Sequence, residues 1–303
     1  MKIAVIGAGA MGSIYGGHLS QKNEVYLIDK NENIVDTINK KGITLYENGK
    51  ENKYFPKAVT NSKSLDTMDL IILFVKALYS ETALKENCNL IGNNTYLMTL
   101  QNGAGHEDIL TKFAPLNKVI IGTTEDNGNI IDKGIVKHGG KGITNIGMIT
   151  NEKYNKLSEI KEVFDESGFT TRIHKNIQQL IWDKLLINIS LSAVTGILQE
   201  KMGFIANNEY AWKMTKTLVK EALSVAKVMN LNFSEDEILK KIKNTSLNNI
   251  DGCTSIYTDL KRGVKTEVDT ISGAVLKAAI KNNINVPVHE FLINMVHAME
   301  SKK

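Results

Sequence analysis

The hydrophobic rhythm of the chain changes about halfway along. Through the first half, short apolar runs alternate with segments patterned at helical period, the mark of a parallel sheet with crossover helices. Strands are predicted near Lys2–Ile6, Val25–Ile28, Leu70–Val75, Tyr96–Leu100 and Lys118–Gly122. The run from Leu70 to Val75 is apolar without alternation, as a central strand buried on both faces would be. Gly134–His138 and Gly142–Gly147, with Gly139-Gly140 between them, read as a glycine-turned hairpin. An amphipathic helix over Lys153–Glu166 and a short strand near Phe169–Ile173 finish this part. From Asn176 onward the pattern is helical almost to the end, with helices expected over Ile177–Leu198, Glu209–Met229, Glu235–Asn244, Ser255–Lys261 and Glu267–Asn282, and a last one after Pro287. The boundary falls near His174–Asn176, giving an α/β domain over residues 1–174 and an all-helical domain over 175–303.

A length of 303 residues makes two domains the default. With 42% hydrophobic and 23% charged residues the chain has the composition of a globular protein with a sizeable core, not of a disordered one. The formal charge is only +4 and is spread along the chain, so no nucleic-acid footprint is read. Cys88 and Cys253 lie far apart and form no CxxC pair, so neither a disulfide framework nor a zinc site is suggested and a reducing cytosol fits best. A first strand at Lys2 or Ile3 leaves no room for a signal peptide ahead of the fold, and no apolar run is read as approaching the roughly 20 residues of a membrane span. A cytoplasmic protein without membrane or nucleic-acid partners is therefore expected. Arg172 and Arg262 are the only arginines against 35 lysines, so lysine, amide and hydroxyl donors must do most of any carboxylate binding.

The densest chemistry stands at the N-terminus. Ile3–Ile6 runs directly into Gly7-Ala8-Gly9-Ala10-Met11-Gly12 and then a helical segment, which is GxGxxG with a strand before it and a helix after. In that setting Gly7 permits the tight turn, Gly9 lets the backbone approach a pyrophosphate, and Gly12 lets helix and strand pack closely, with the helix N-terminus facing the phosphates. The second strand ends in Asp29, 22 residues after Gly7, where an acid that accepts hydrogen bonds from the ribose 2′-hydroxyl is expected. A Rossmann-type dinucleotide site follows. Lys30 leaves the cofactor open: Asp29 would repel a 2′-phosphate, while Lys30 could bind one as a point charge or be no more than a solvated strand-end lysine.

Strand ends also carry Val75-Lys76-Ala77 and Leu100-Gln101-Asn102-Gly103-Ala104-Gly105. The carboxyl ends of strands form the ligand crevice of open α/β sheets, so Lys76 and Asn102 become candidates. On the long helix, Lys184, Asn188 and Ser192 recur at i, i+4 and i+8 and share one face, among Leu185, Leu186, Ile187, Ile189 and Leu191. A lysine in such company needs a reason, because an unpaired buried ammonium is costly; snorkelling is the bland one. Thr254-Ser255 and Thr266-Glu267-Val268-Asp269 look like helix caps, the latter nearly a capping box. The six histidines (His18, His106, His138, His174, His289, His297) scatter along the chain, and no metal-ligand pattern is read.

Taken together, GAGAMG, FVKAL, LQNGAG, WDKLLINISLS, TSIYTDL and KTEVDTISG, in this order, resemble the ketopantoate reductase (2-dehydropantoate 2-reductase) family over essentially the whole chain. The resemblance implies NADPH-dependent reduction of ketopantoate to D-pantoate for pantothenate and coenzyme A synthesis. A homodimer through the helical domain is an expectation that no residue pattern establishes. By position, Lys184 would be the general acid that protonates the carbonyl oxygen as hydride arrives, and Asn188 would hold the substrate's oxygens. Glu267 would accept from the distal hydroxyl, Ser255 would bind near the carboxylate, Asn102 would contact cofactor and substrate, and Lys76 would assist near the nicotinamide ribose. Two positions depart from the family pattern: Ser192 stands where typical members carry a further Asn, and Lys30 where NADP-using members usually present Arg. Asp29 and Ser192 motivate an alternative, a related D-2-hydroxyacid dehydrogenase acting on other branched 2-keto acids, for which NADH could serve as cofactor. A non-catalytic dinucleotide sensor is the alternative of a different class.

Overall fold

Four of the five residues of Lys2–Ile6 are buried, and in the computed structural model, which describes residues 1–150 and 154–302, this strand lies inside an eight-stranded sheet. The strands are, in chain order, β1 (Lys2–Ile6), β2 (Glu24–Ile28), β3 (Ile43–Glu47), β4 (Lys50–Tyr54), β5 (Lys57–Val59), β6 (Leu70–Leu73), β7 (Tyr96–Thr99), β8 (Val119–Thr124), β9 (Asn127–Asp132), β10 (Ile135–Gly140), β11 (Ile143–Met148) and β12 (Thr170–Ile173). The large sheet has the order β12-β11-β8-β7-β6-β1-β2-β5 and is parallel except where β11 runs against β8. Strand order reverses at β1, which has β2 on one side and β6 on the other. That reversal places the ligand crevice of a doubly wound sheet at the carboxyl ends of β1 and β6.

A second, four-stranded sheet has the order β4-β3-β10-β9 and corrects the reading of the glycine-rich segment. The expected hairpin of Gly134–His138 with Gly142–Gly147 does not form: β10 pairs with β9 and β3, whereas β11 pairs with β8 and β12 in the large sheet. The chain crosses between sheets at Gly140, whose φ of +150° glycine readily adopts. The true hairpins are β3–β4, turned by Asn48 and Gly49 at φ 51° and 74°, and β9–β10, turned ahead of Ile135 with Gly134 at φ 70°.

Helices α1 (Ala10–Leu19), α2 (Glu32–Lys41), α3 (Ser80–Glu86), α4 (Glu107–Leu110) and α5 (Tyr154–Glu166) accompany the strands. The expected first residue of α5, Lys153, lies outside the described residues. Helix α1 packs on strands of both sheets and is buried from Gly12 to Leu19, so it has no solvated face. Its small residues follow from that: a Cβ on Gly16 would stand 2.8 Å from Leu27 Cδ2.

The rest of the described chain is helical: α6 (Ile177–Leu198), α7 (Gly203–Asn207), α8 (Glu209–Val228), α9 (Glu235–Asn248), α10 (Ser255–Lys261), α11 (Ser272–Lys281) and α12 (Pro287–Glu300). The fold is thus a Rossmann-type α/β domain followed by an all-α domain. Helix α11 starts later than its expected first residue, because Glu267–Ile271 forms a turn and Thr266 Oγ1 accepts from the Val268 amide without capping a helix there. Helix α6 corrects the statement about membrane spans: its 22 residues, with a mean hydropathy of 1.4 in the most apolar window, are long and apolar enough to cross a bilayer. With 67% of that window buried in the fold, it is built as a core helix.

Two compact units emerge. One is Met1–Gln101 with His106–Ile177; the other is Gln178–Lys303 together with the short loop Asn102–Gly105.

Candidate active site

In the first unit the glycine loop leaves β1 with Gly7 at φ +103°, pressed so closely on the end of β6 that a Cβ would lie 2.8 Å from the Val75 amide nitrogen. A Cβ on Gly12 would fall 1.8 Å from the Gly7 carbonyl oxygen, so helix and loop can close only on glycine. Gly9 differs from both. Its φ is −69°, open to any residue, and a Cβ there would meet no protein atom within 4 Å. The loop is bare at Gly9 toward open space, beside Ala10 and Met11 at the N-terminus of α1, where the first-turn amides have no partner within the helix. This bare surface fits a pyrophosphate.

Asp29 ties the loop down. Its Oδ2 accepts from the Ala8 amide at 2.8 Å and its Oδ1 from the Asn31 amide at 2.9 Å. Each carboxylate oxygen keeps acceptor capacity for a ribose hydroxyl. Beyond Asp29 lies a cavity of about 650 Å³ lined by Ile6, Gly7, Asp29, Lys30, Val75 and Glu86 among others. Its volume lies within the range of ligand pockets. Lys30 Nζ donates to Glu86 Oε1 at 2.7 Å, so the candidate phosphate-binding lysine is already engaged by a carboxylate of the same cavity.

Half-buried Lys76 directly follows Val75, and its carbonyl accepts from the Tyr79 amide at 2.8 Å. Its neighbour in space went unread in the sequence. Buried Gln101 donates through Nε2 to the Val75 carbonyl at 2.5 Å and to Ser80 Oγ at 2.9 Å, while its Oε1 accepts from Thr99 Oγ1 at 2.7 Å. Gln101 therefore clamps the ends of β6 and β7 together and holds the peptide that presents Lys76. An isolated glutamine before an Asn-Gly turn carries no signal of that role.

The second unit gathers the other candidates. Lys184 and Asn188 are half-buried on α6, and Ser192 is buried. The flanking Leu185, Leu186 and Ile189 are fully or almost fully buried, so the polar positions form one seam on an apolar helix. Helix α10 docks at the end of that seam: a Cβ on Gly196 would lie 2.4 Å from Ile256 Cγ2, and the hydroxyls of Thr195 and Thr254 hydrogen-bond at 2.8 Å. Thr254 caps α10 by accepting from the Tyr257 amide, which leaves Ser255 exposed at the first helical position.

Glu267 sits half-buried in the turn before α11. That turn is anchored from α12, where Glu300 Oε1 accepts from both the amide and the hydroxyl of Thr266, at 2.8 and 2.7 Å. Burial alone would raise the Glu300 pKa, but the bonds from Thr266 and His297 outweigh it and hold the carboxyl low. His297 bridges Glu300 and Asp269 at 3.0 and 3.1 Å, and those carboxylates raise its pKa, the bond to Glu300 most of all. The Asn102–Gly105 loop joins the same turn. The Ala104 amide donates to the Thr270 carbonyl at 3.0 Å, and Gly103, at φ +99°, lies so close that a Cβ would be 2.1 Å from that oxygen. Asn102 and Glu267 are thereby carried by segments that hydrogen-bond to one another. One unit thus carries the glycine loop with Asp29 and Lys76; the other carries the ammonium of Lys184 with amides, hydroxyls and the carboxylate of Glu267.

Residues 3–151 match the family described as Ketopantoate reductase PanE/ApbA, and residues 176–300 match Ketopantoate reductase PanE/ApbA C terminal. The 2-dehydropantoate 2-reductase of Pyrococcus horikoshii is 32% identical over 305 residues, covering 99% of this chain and 98% of that protein. The enzyme of the same name from Lactococcus lactis is also 32% identical, with 99% and 98% covered. Among solved structures, that of D-mandelate dehydrogenase with NADH and anilino(oxo)acetate superposes with a TM-score of 0.91 at 34% identity, over 99% of this chain and 98% of that one.

Proposed function

This chain belongs to the ketopantoate reductase family, and from that premise we propose that it reduces 2-dehydropantoate to D-pantoate with a reduced nicotinamide dinucleotide. It is an oxidoreductase of the 2-dehydropantoate 2-reductase type, and the family's cofactor is NAD(P)H. The observation that carries the proposal is the polar seam of Lys184, Asn188 and Ser192 on an otherwise apolar helix.

When bound, the cofactor supplies a hydride to C2 of the keto acid. Lys184 Nζ gives the proton that the C2 oxygen takes up, and its charge opposes the negative charge that develops there. Asn188 donates to the substrate's oxygens, and Ser255 meets the carboxylate. Glu267 accepts from the distal hydroxyl, which the substrate alone among simple branched 2-keto acids offers. Asn102 and Lys76 orient the reacting carbonyl beside the nicotinamide ribose. The bare surface at Gly9 takes the pyrophosphate, and Asp29 takes the adenosine ribose. Asp29 and Glu86 line one cavity with Lys30, which is paired to Glu86, and two carboxylates there would oppose a 2′-phosphate. This favours NADH over the NADPH implied by the family resemblance. The reaction belongs in the cytoplasm, where exposed free Cys88 and Cys253 stay reduced.

The test is the loss of reduced-nicotinamide absorbance with 2-dehydropantoate, NADH and NADPH run in parallel, on wild type and Lys184→Ala. A general acid is worth about 10²–10⁴-fold, so kcat of the variant is expected to fall by about that factor while the cofactor Kd stays within about twofold. A near-normal kcat for Lys184→Ala would remove the acid from the scheme.

A second reading is a D-2-hydroxyacid dehydrogenase that uses NADH. Ser192, shorter than the expected amide and buried at 6% exposure, favours it by leaving room for a bulkier acyl group. So does the similarity to D-mandelate dehydrogenase. Higher kcat/KM for 2-ketoisovalerate or phenylglyoxylate than for 2-dehydropantoate would select this reading.

A further inference from the structure

Away from the residues assigned above, the first unit buries a group of titratable side chains that the reaction does not use. His18 on α1, Glu47 on β3 and His138 on β10 are 5%, 6% and 5% exposed. His18 Nε2 stands 3.0 Å and His138 Nδ1 3.1 Å from the same oxygen, Glu47 Oε2. One donor atom from each of the three residues lies within 4.8 Å of the other two. The sequence shows no such group, because the three residues come from separate elements and meet only when the small sheet closes on α1.

We infer that His18, Glu47 and His138 form a binding site for one divalent transition metal ion of the zinc class. Three features of the surroundings support it. The remaining atoms of His138 and Glu47 are held as ligand-orienting groups are held in metal sites. His138 Nε2 meets Asp126 Oδ1 at 3.0 Å, a carboxylate–imidazole pair directed at the centre. Asp126 is fixed in turn by the Gly142 amide at 3.1 Å, Thr124 Oγ1 at 3.1 Å and the Tyr15 hydroxyl at 3.4 Å. Glu47 Oε1 accepts from the Tyr54 hydroxyl at 2.7 Å and Asn52 Nδ2 at 2.9 Å, which leaves Oε2 for the metal.

Geometry agrees as well. Metal–ligand bonds of about 2.0–2.2 Å in a tetrahedral site put ligand atoms about 3.3–3.5 Å apart. The contacts of 3.0 and 3.1 Å need to widen by about 0.2–0.5 Å, and the two imidazole nitrogens, within 4.8 Å of each other, need to settle at the same spacing. A polar cavity of about 410 Å³, lined by His18, Glu47, Asn52, Tyr54, Lys141 and Glu166 among others, adjoins the group and gives room for water as a fourth ligand. Charge agrees too: a dication balances the buried carboxylates of Glu47 and Asp126 and takes the place of protons on the imidazoles, whose neutral form binds metals. Two neutral imidazoles and one carboxylate suit zinc or cobalt better than calcium or magnesium, which prefer all-oxygen shells. The ion would staple α1, whose N-terminus carries the glycine loop, to the small sheet.

The experiment uses tag-free full-length protein stripped with a chelator and titrated with Co²⁺ and with Zn²⁺, read by cobalt d–d absorption and by the thermal midpoint. The expected result is one equivalent bound with a Kd of micromolar or tighter, an intense four-coordinate cobalt spectrum, and a raised midpoint. His18→Gln and His138→Gln should lose the spectrum. Asp126→Asn should weaken binding about 10–100-fold. If the His variants fail to fold, X-ray absorption on the cobalt-loaded wild type decides, since a shell with two imidazoles supports the site and a shell without imidazole overturns it. Wild-type protein that takes up no equivalent of either ion below about 100 μM, far weaker than structural zinc sites, would leave a network bridged by protons alone and overturn the inference.

Discussion

The three glycines of the N-terminal motif have different reasons to be glycine. Gly7 needs its φ of +103°, and Gly12 has a carbonyl oxygen 1.8 Å from where its Cβ would be, so both serve the fold. Gly9 has an ordinary backbone and no protein atom within 4 Å of where its Cβ would be, so packing does not require it. Gly9→Ala is therefore expected to leave the thermal midpoint within about a degree of wild type, as a substitution without contacts should. The Kd for NADH should rise at least tenfold, read by fluorescence titration. Gly12→Ala, in contrast, should cost about 3 kcal/mol in a urea titration, through overpacking. Equal losses of stability in the two variants would refute the distinction. Asp29 and Lys30 show a similar division. The sequence leaves them balanced; the ion pair from Lys30 to Glu86 is the basis of the NADH preference proposed above, and Glu86 lies too far along the chain to be read with them. Glu86→Gln should raise the ratio of kcat/KM with NADPH to that with NADH severalfold, by removing one repelling charge and freeing Lys30. An unchanged ratio would take Glu86 out of cofactor choice.

Among the elements, those with an unbroken apolar signature were legible from sequence and those built on polar strands were not. Helix α6 begins and ends where its pattern does, at Ile177 and Leu198, and α10 likewise at Ser255 and Lys261. Strand β4 reads Lys-Glu-Asn-Lys-Tyr and β9 is almost wholly exposed, so neither offers hydrophobic alternation, and without them β10 and β11 looked like partners. The Asn48-Gly49 turn was the available cue to β3–β4. Packing between α8 and α12 holds a pH-sensitive contact that no pattern reveals. His289 on α12 is fully buried and donates from Nε2 to the Leu218 carbonyl at 3.1 Å, while its Nδ1 is buried without a hydrogen-bond partner. Burial pushes its pKa down to about 4, the bond to Leu218 opposing only in part. A folded pKa below the unfolded value of about 6.5 means that the unfolded chain takes up the proton first. The stability His289 contributes is complete above about pH 6.5 and drains away as pH falls toward 4, by roughly 3 kcal/mol in all. His289→Gln keeps a donor for Leu218 but does not titrate. The difference in urea midpoint between wild type and this variant should therefore move against wild type from pH 7.5 to pH 4.5, and a constant difference would deny the histidine its part.

At the scale of the whole molecule, the division of labour does not follow the order of the chain. The loop Asn102–Gly105 leaves the first unit's sheet after Gln101, yet its hydrogen bond is to Thr270 and it belongs with the helical unit. A linear boundary near residue 175 cannot express that, and the sequence cannot signal it, because Gly103 is required by a carbonyl oxygen well over a hundred residues away. The consequence is that cofactor and substrate should leave separate footprints. Hydrogen exchange with NADH alone should slow in peptides covering Gly7–Gly12 and Asp29–Asn31, whose amides border the bare glycine surface and the 650 Å³ cavity. Addition of D-pantoate should extend protection to the α6 seam from Asp183 to Ser192 and to the Glu267–Thr270 turn. Asn102–Gly105, which shares a hydrogen bond with that turn and carries the amide proposed to touch both ligands, should respond to each ligand and most to the two together. If pantoate protects α6 while Asn102–Gly105 stays indifferent to both, the loop is a structural graft onto the helical unit and Asn102 has no place in the site. If NADH alone protects the α6 seam as strongly as the ternary mixture does, the assignment of Lys184 and Asn188 to the substrate, rather than to the cofactor, fails.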